Sequence, residues 1–204
     1  MRHWAWRSRK QKEQSSVLKV GVMGATGGVG TTHLALMLAN YYARGCNRKT
    51  VVIEYGEHRD FVRICRFTGA DAGDIKHFFY EDIELAVCST ASQVADYVSK
   101  DYEVVILDMA SDNKEALEEL KRCDIRLIVG STSMWKIEGL RKLLSKMQGI
   151  RCSLAVFLGE PKSMSKLAAE YKVGLFKVPI ENNPLVISSK TMYVIKDFLA
   201  NNKY

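Results

Sequence analysis

From residue 17 onward, short apolar runs rich in β-branched residues alternate with stretches of helical periodicity, and few folds satisfy that order. The predicted strands are VLKVGVM (17–23), TVVIEY (50–55), IELAVCS (83–89), YEVVILDM (102–109), IRLIVGS (125–131), CSLAVFLG (152–159) and GLFKVP (174–179). Helices are expected between them at about 31–44, 58–68, 91–99, 113–122, 135–148, 162–171 and 188–202. Several strands are apolar at every position, so both faces of the sheet must be covered. The expected fold is therefore α/β: a mostly parallel sheet of about seven strands with helices on both faces. With 204 residues, 47% of them hydrophobic, and only three prolines, the chain has the material for one core and no evident linker. A basic tail, residues 1–16, is expected to precede a single domain, residues 17–204.

The junction between the first strand and the first helix reads GVMGATGGVGTTHLALMLANYYA, residues 21–43. Leu34, Met37, Leu38 and Tyr41 fall at i, i+3, i+4 and i+7, as in a helix buried behind a loop. Glycines between a strand and a helix let backbone N–H groups turn toward an anion, and the helix start adds partial positive charge. Such a loop can hold phosphate without any lysine.

Charge is unevenly placed. The formal net charge is +7, and MRHWAWRSRKQK supplies five cations (Arg2, Arg7, Arg9, Lys10, Lys12) and no acid, leaving +2 for the rest. With Trp4 and Trp6 among these cations, residues 1–12 have the chemistry of a peripheral contact with an anionic membrane; the plainer reading is a solvated tail. Basic charge alone reads no sequence, so nucleic acid is not the expected partner. Cys46, Cys65, Cys88, Cys123 and Cys152 show neither CxxC pairs nor metal-ligand spacing, which fits reduced thiols in a cytoplasm.

Three readings of the loop stay open. GATGGVG fits the dinucleotide pattern GxxGxxG through Gly24, Gly27 and Gly30, with Glu54 as ribose ligand, and implies an NAD(P)-dependent oxidoreductase. Against it, no tyrosine has a lysine four positions on, and Glu54 lies 30 residues past Gly24 rather than about 20. Alternatively, the glycines form a tight turn that packs helix on sheet, with Asp108 a loop-bonding carboxylate.

The third reading is a deviant Walker A loop. TGGVGTTH, YEVVILDMAS, TVVIEYGEHRD, CDIRLIVGSTSMWKIEGLRKLL and VPIENNPLVISS, taken in order over about residues 17–200, resemble the P-loop, Walker B strand, switch I and later segments of the ParA/MinD-like ATPases. The resemblance implies a P-loop NTPase-like fold of the SIMIBI type. Its nucleotide site would comprise Gly27, Gly28, Val29, Gly30, Thr31, Thr32 and His33, with Glu54 in the switch region and Asp108 in the Walker B strand. Thr32 and Asp108 would hold Mg²⁺, directly or through water, beside ATP or ADP.

The whole-chain pattern is similar to the CpaE/TadZ-type pilus-assembly localisation proteins. Those often carry a receiver-like domain ahead of the ATPase-like one, for which these residues leave no room. The likeness implies a dimer, protein partners from pilus or secretion machinery, and a place in the cytoplasm or at the inner face of the membrane.

Three positions depart from the family pattern. Thr26 stands at the signature lysine, Thr31 at the Walker lysine, and Gly56 at the switch I aspartate that orients water. Exchanging a charge-assisted contact of about 1.5–3 kcal/mol for a neutral one of about 1 kcal/mol weakens binding, and hydrolysis suffers more. A regulatory or localisation scaffold with weak ATP binding and little or no hydrolysis, a pseudo-ATPase, is the expected outcome. The alternative is a slow ATPase completed by a partner. Arg59, Arg63 and Glu57 are further candidates to replace missing groups, although the arginines read more simply as a solvated helix face and Glu57 as a turn residue. Met134 and Trp135 are expected in the core. Gly159 falls in the segment where the family carries an adenine-contacting asparagine.

Overall fold

The computed structural model describes residues 16–56, 59–67, 76–109 and 113–202. Its strands are β1 (Leu18–Gly24), β2 (Thr50–Tyr55), β3 (His77–Tyr80), β4 (Ile83–Cys88), β5 (Val104–Met109), β6 (Ile125–Val129), β7 (Ser153–Val156) and β8 (Gly174–Lys177). Its helices are α1 (Thr31–Asn40), α2 (Asp60–Phe67), α3 (Ala91–Val98), α4 (Lys114–Lys121), α5 (Ile137–Lys146), α6 (Pro161–Tyr171) and α7 (Ser189–Asn201). Beyond Asn40 the first helix widens into one π-helical turn, Tyr41–Gly45. The expected basic tail and Glu57 lie outside the described residues.

The strands form one sheet in the order β3-β4-β2-β5-β1-β6-β7-β8. Every neighbouring pair runs parallel except β3 and β4. Strands β2, β5 and β7 are buried at every position, which is why they read as unbroken apolar runs. On one face Val20, Val22, Val52 and Ile106 pack beneath α1 and α7. On the other, Val51, Ile53, Val105 and Leu107 share a core with α3, α4, α5 and α6. Each fully buried aliphatic side chain contributes about 1.5–3 kcal/mol, offset largely by chain entropy.

The sheet has eight strands where about seven were expected. The additional one, β3, is a four-residue edge strand paired antiparallel to β4 in the register Tyr80↔Ile83. Its two-residue turn is Glu81–Asp82, with Glu81 at φ 53. No Asn-Gly or Asp-Gly announces it. Arg44 instead pairs with both turn carboxylates, fastening the hairpin to the end of the π turn.

At the sheet centre, Gly21 lets α4 approach β1 closely. A Cβ there would lie 2.5 Å from Leu120 Cδ1 and 2.9 Å from Cys123 Sγ. Among the described residues no helix is long and apolar enough to cross a membrane. Gly21→Val should lower unfolding free energy by about 1–3 kcal/mol through overpacking. Urea denaturation should show an earlier midpoint at unchanged slope.

Candidate functional site

Because β1 lies centrally, with its own connection leading to β2 on one side and the β5 connection crossing to β6 on the other, a crevice opens where the parallel strands end. The glycine loop fills that place. It leaves β1 at Gly24 and enters α1 at Thr31, with Gly28 at φ 66 and Gly30 at φ 96. A Cβ on Gly30 would meet Phe157 Cε2 at 2.6 Å, and one on Gly24 would meet Thr31 Oγ1 at 2.3 Å. Both glycines are therefore required by space, and Gly30 by conformation as well.

The start of α1, like those of α5 and α6, has no side-chain cap, in contrast to three other helices. Thr90 caps α3 in a reciprocal pair with Gln93, Asn113 caps α4 and Ser188 caps α7. Gly30 provides no side-chain cap, and the first turn of α1 carries no acid. Backbone donors at the head of a ten-residue helix thus face the loop without a built-in acceptor.

Two cavities meet at this loop and share Gly28, Gly30 and His33. The smaller, of about 560 Å³, holds Thr31, Thr32, Asp60, Arg63 and Asp108. The larger, of about 740 Å³, has walls from Trp135, Phe157, Leu158 and Ile180, with Ser131, Thr132 and Glu181 among its polar groups. Gly159 lines it as well. Val29 is buried against the core at the loop's underside.

The residues singled out in the sequence take distinct places. Thr32 Oγ1 donates to Asp60 Oδ2 at 3.4 Å, and Asp60 pairs with Arg63 at 2.6 Å. Asp108 is fully buried at the end of β5, in register with Glu54 on β2, so both carboxylates leave neighbouring strands at one level. Glu54 faces the head of α2: its oxygens accept from the N–H groups of Asp60 at 2.6 Å and Phe61 at 3.3 Å. The carboxylate thereby caps α2 and sets where Asp60 stands. Thr26 turns its methyl toward Gly139 of α5, and its hydroxyl is buried with no hydrogen-bond partner among the described residues.

Mg²⁺ takes oxygen ligands and retains several waters. Thr32 and Asp108 line the same cavity, with Asp60 beside Thr32 and the Asp108 carboxylate buried at its floor, and the glycine loop borders it. The residues fit a phosphate-bound metal. Among the described residues no group of three or more His, Cys, Asp or Glu forms a metal cage, so phosphate and water would complete the coordination.

Two groups here escaped the sequence reading. Asp60 comes to Thr32 through the cap supplied by Glu54. Lys136, at the start of α5, donates to Gly27 O at 3.0 Å and Gly28 O at 2.9 Å. Neither position carries a motif; Asp60 as a first-turn acid was the only available signal. Met134 and Trp135 correct an expectation, being 87% and 79% exposed rather than in the core. They lie in the turn ahead of α5, whose inward stripe is Leu140, Leu143 and Leu144. Arg63 lies on an exposed helix face, as expected.

No protein-family model matches this sequence, and no curated protein matches it either. Solved structures do. A plasmid partition protein from Borrelia burgdorferi, bound to AMPPNP, superposes with a TM-score of 0.63 at 13% identity, covering 91% of this chain and 99% of its own. The cell-division ATPase MinD of Pyrococcus furiosus also gives 0.63, at 11% identity, covering 90% of this chain and 98% of its own. A nucleotide-binding protein from Archaeoglobus fulgidus, in complex with ADP, gives 0.54 at 15% identity, covering 92% and 88%. The fold is that of the ParA and MinD P-loop ATPases. Within this fold the two cavities meet at the glycine loop between β1 and α1.

His33 stands in the first turn of α1, edge-on to Phe157 with ring centroids 5.5 Å apart. Burial penalises its charged form and holds its pKa below the ordinary 6.5, with Glu181 opposing through a hydrogen bond and its charge. As pH falls, the unfolded chain takes up this proton first. The imidazole's contribution to stability is thus complete above about pH 6.5 and is lost as pH drops toward the folded-state value. Melting temperatures of wild type and His33→Gln, compared from about pH 8 to about pH 5, should show the steeper acid-side loss in the wild type.

Proposed function

We propose that the protein binds ATP or ADP with Mg²⁺ weakly, hydrolyses ATP little or not at all, and works as a regulatory or localisation scaffold. The observation that carries this reading is the contrast within one loop. The glycine cradle and uncapped helix head are present, whereas the two lysine positions hold Thr31 and Thr26. The AMPPNP and ADP bound by the Borrelia and Archaeoglobus proteins support nucleotide as the ligand class.

The chain's own residues divide the work. Loop N–H groups would bind phosphate oxygens, Thr32 and Asp108 would hold the metal directly or through water, and Trp135 and Phe157 would offer apolar walls to a base. The metal, when bound, neutralises charge on the phosphates. With neutral threonines in the loop, transition-state charge on the terminal phosphoryl group lacks its cationic partners. Binding is then retained while turnover is lost.

By its resemblance to CpaE/TadZ-type proteins, the scaffold would act as a homodimer that places a pilus or secretion component at the membrane. A second reading, slow ATPase activity completed by a partner, draws support from Asp60 and Arg63 beside Thr32.

Calorimetric titration with ATP·Mg²⁺, ADP and NADPH tests the ligand class. Wild type should bind ATP weakly, Thr31→Lys should tighten it about 5–30-fold, and phosphate release should stay near background. Preference for NADPH, or turnover matching an intact ParA/MinD ATPase, would overturn the reading.

Residues 1–12 are proposed to touch anionic lipid through their cations and tryptophans. Co-sedimentation with phosphatidylserine-containing vesicles should fall when this segment is deleted and when salt is raised. An unchanged pellet removes the membrane contact.

A further inference from the structure

The loop lacks cationic side chains of its own, yet a cation is fastened to it. Lys136 comes from the start of α5, more than one hundred residues along the chain, and its ammonium donates to Gly27 O at 3.0 Å and Gly28 O at 2.9 Å. Its Nζ lies 3.6 Å from where a Cβ on Gly28 would stand. Gly28 borders both cavities, and Lys136 lines the larger one. The ammonium therefore sits beside the loop, on the wall of the larger cavity.

An ammonium has three donors, and the two carbonyls engage two of them. The third remains for an anion. The carbonyls also hold the long side chain in place, so less rotamer freedom is lost when an anion arrives. Of the other cations near the loop, Arg63 is already paired with Asp60 at 2.6 Å, and Lys142 and Lys146 line a separate cavity beside Thr26 and Gly27. Among the described residues, Lys136 is the cation hydrogen-bonded to the backbone of Gly27 and Gly28.

We infer that Lys136 is a phosphate-binding residue that supplies, from α5, the positive charge absent at Thr26 and Thr31. It acts on the phosphates of a nucleotide seated on the glycine loop, and this rests on the nucleotide-binding reading above. Its role is binding: it adds charge to one side of the loop and leaves the water-orienting position at Gly56 unfilled.

Calorimetric titration of wild type, Lys136→Met, Lys136→Arg and the Lys136→Met/Thr31→Lys double variant with ATP·Mg²⁺ and with adenosine tests the assignment. Adenosine shares the base and ribose but carries no phosphate. Lys136→Met should weaken ATP binding about tenfold or more and leave adenosine within about twofold. Lys136→Arg should retain most of the ATP affinity, and Thr31→Lys should restore it in the Met background. Wild-type affinity should also fall more steeply with salt than that of Lys136→Met. Unchanged ATP affinity in Lys136→Met overturns the assignment, and so does an equal loss of ATP and adenosine, which marks a strut between α5 and the loop. A wild type that binds adenosine or ATP nowhere near the loop, or binds no ATP at all, overturns the nucleotide reading itself. ATP binding that survives in Lys136→Met removes only the role of Lys136.

Discussion

The site depends on how β1 hands over to α1. A central strand ends and a buried helix begins within six residues, and the turn is made by backbone that no side chain could follow at Gly30. That handover leaves the donors at the head of α1 without a side-chain cap, while α3, α4 and α7 each have one. Uncapped donors at the edge of a core are costly unless water or an anion meets them. The two cavities on either side supply access for both. The anion binding proposed for the loop would therefore rest on its backbone and would not require the lysines.

The smaller cavity is assembled through helix α2. Glu54 on β2 stands in register with Asp108 on β5, and the same carboxylate caps α2 through the N–H groups of Asp60 and Phe61. That cap places Asp60 against Thr32, with Arg63 one turn further on. A buried carboxylate that accepts two backbone hydrogen bonds is held more firmly than an exposed loop group. The switch-region acid of the sequence thus works on the structure of α2, while an acid that accepts from the Thr32 hydroxyl is a neighbour six residues on. Chemistry at Thr32 and the packing of α2 are coupled through one side chain.

The central architecture was legible because parallel strands buried on both faces leave continuous apolar runs, and because α-helices with one buried stripe keep a period near 3.6. The glycine loop was legible for the same reason, as a local motif in strand–turn–helix context. Strand β3 was not: four residues at an edge, with a Glu-Asp turn, carry neither the length nor the turn chemistry of a sequence signal. Lys136 and Asp60 were illegible because their meaning comes from contacts across long stretches of chain, Lys136 to Gly27 and Thr32 to Asp60. Met134 and Trp135 misled because large apolar residues at a predicted helix start resemble core; the stripe that is buried begins at Leu140.

That misreading bears on function. Met134, Trp135, Leu158 and Ile180 are all exposed, and the last three line the larger cavity. Exposed apolar groups around a cavity offer area to a planar base or to another surface, and each occupant would reduce the area left to the other. The polar groups among them, Thr132 and Glu181, favour a partly polar ligand over a purely apolar one. Glu181 is itself tied down: Ser188 donates to it from both backbone and hydroxyl, at 3.0 and 2.6 Å. Those bonds, with Thr191, hold the Glu181 carboxyl below its ordinary value and keep it ionised near the loop. Glu181 and the Lys136 ammonium both line this cavity, so on the proposed reading phosphate would favour the lysine and the loop, and hydrogen-bond donors such as ribose hydroxyls would favour Glu181.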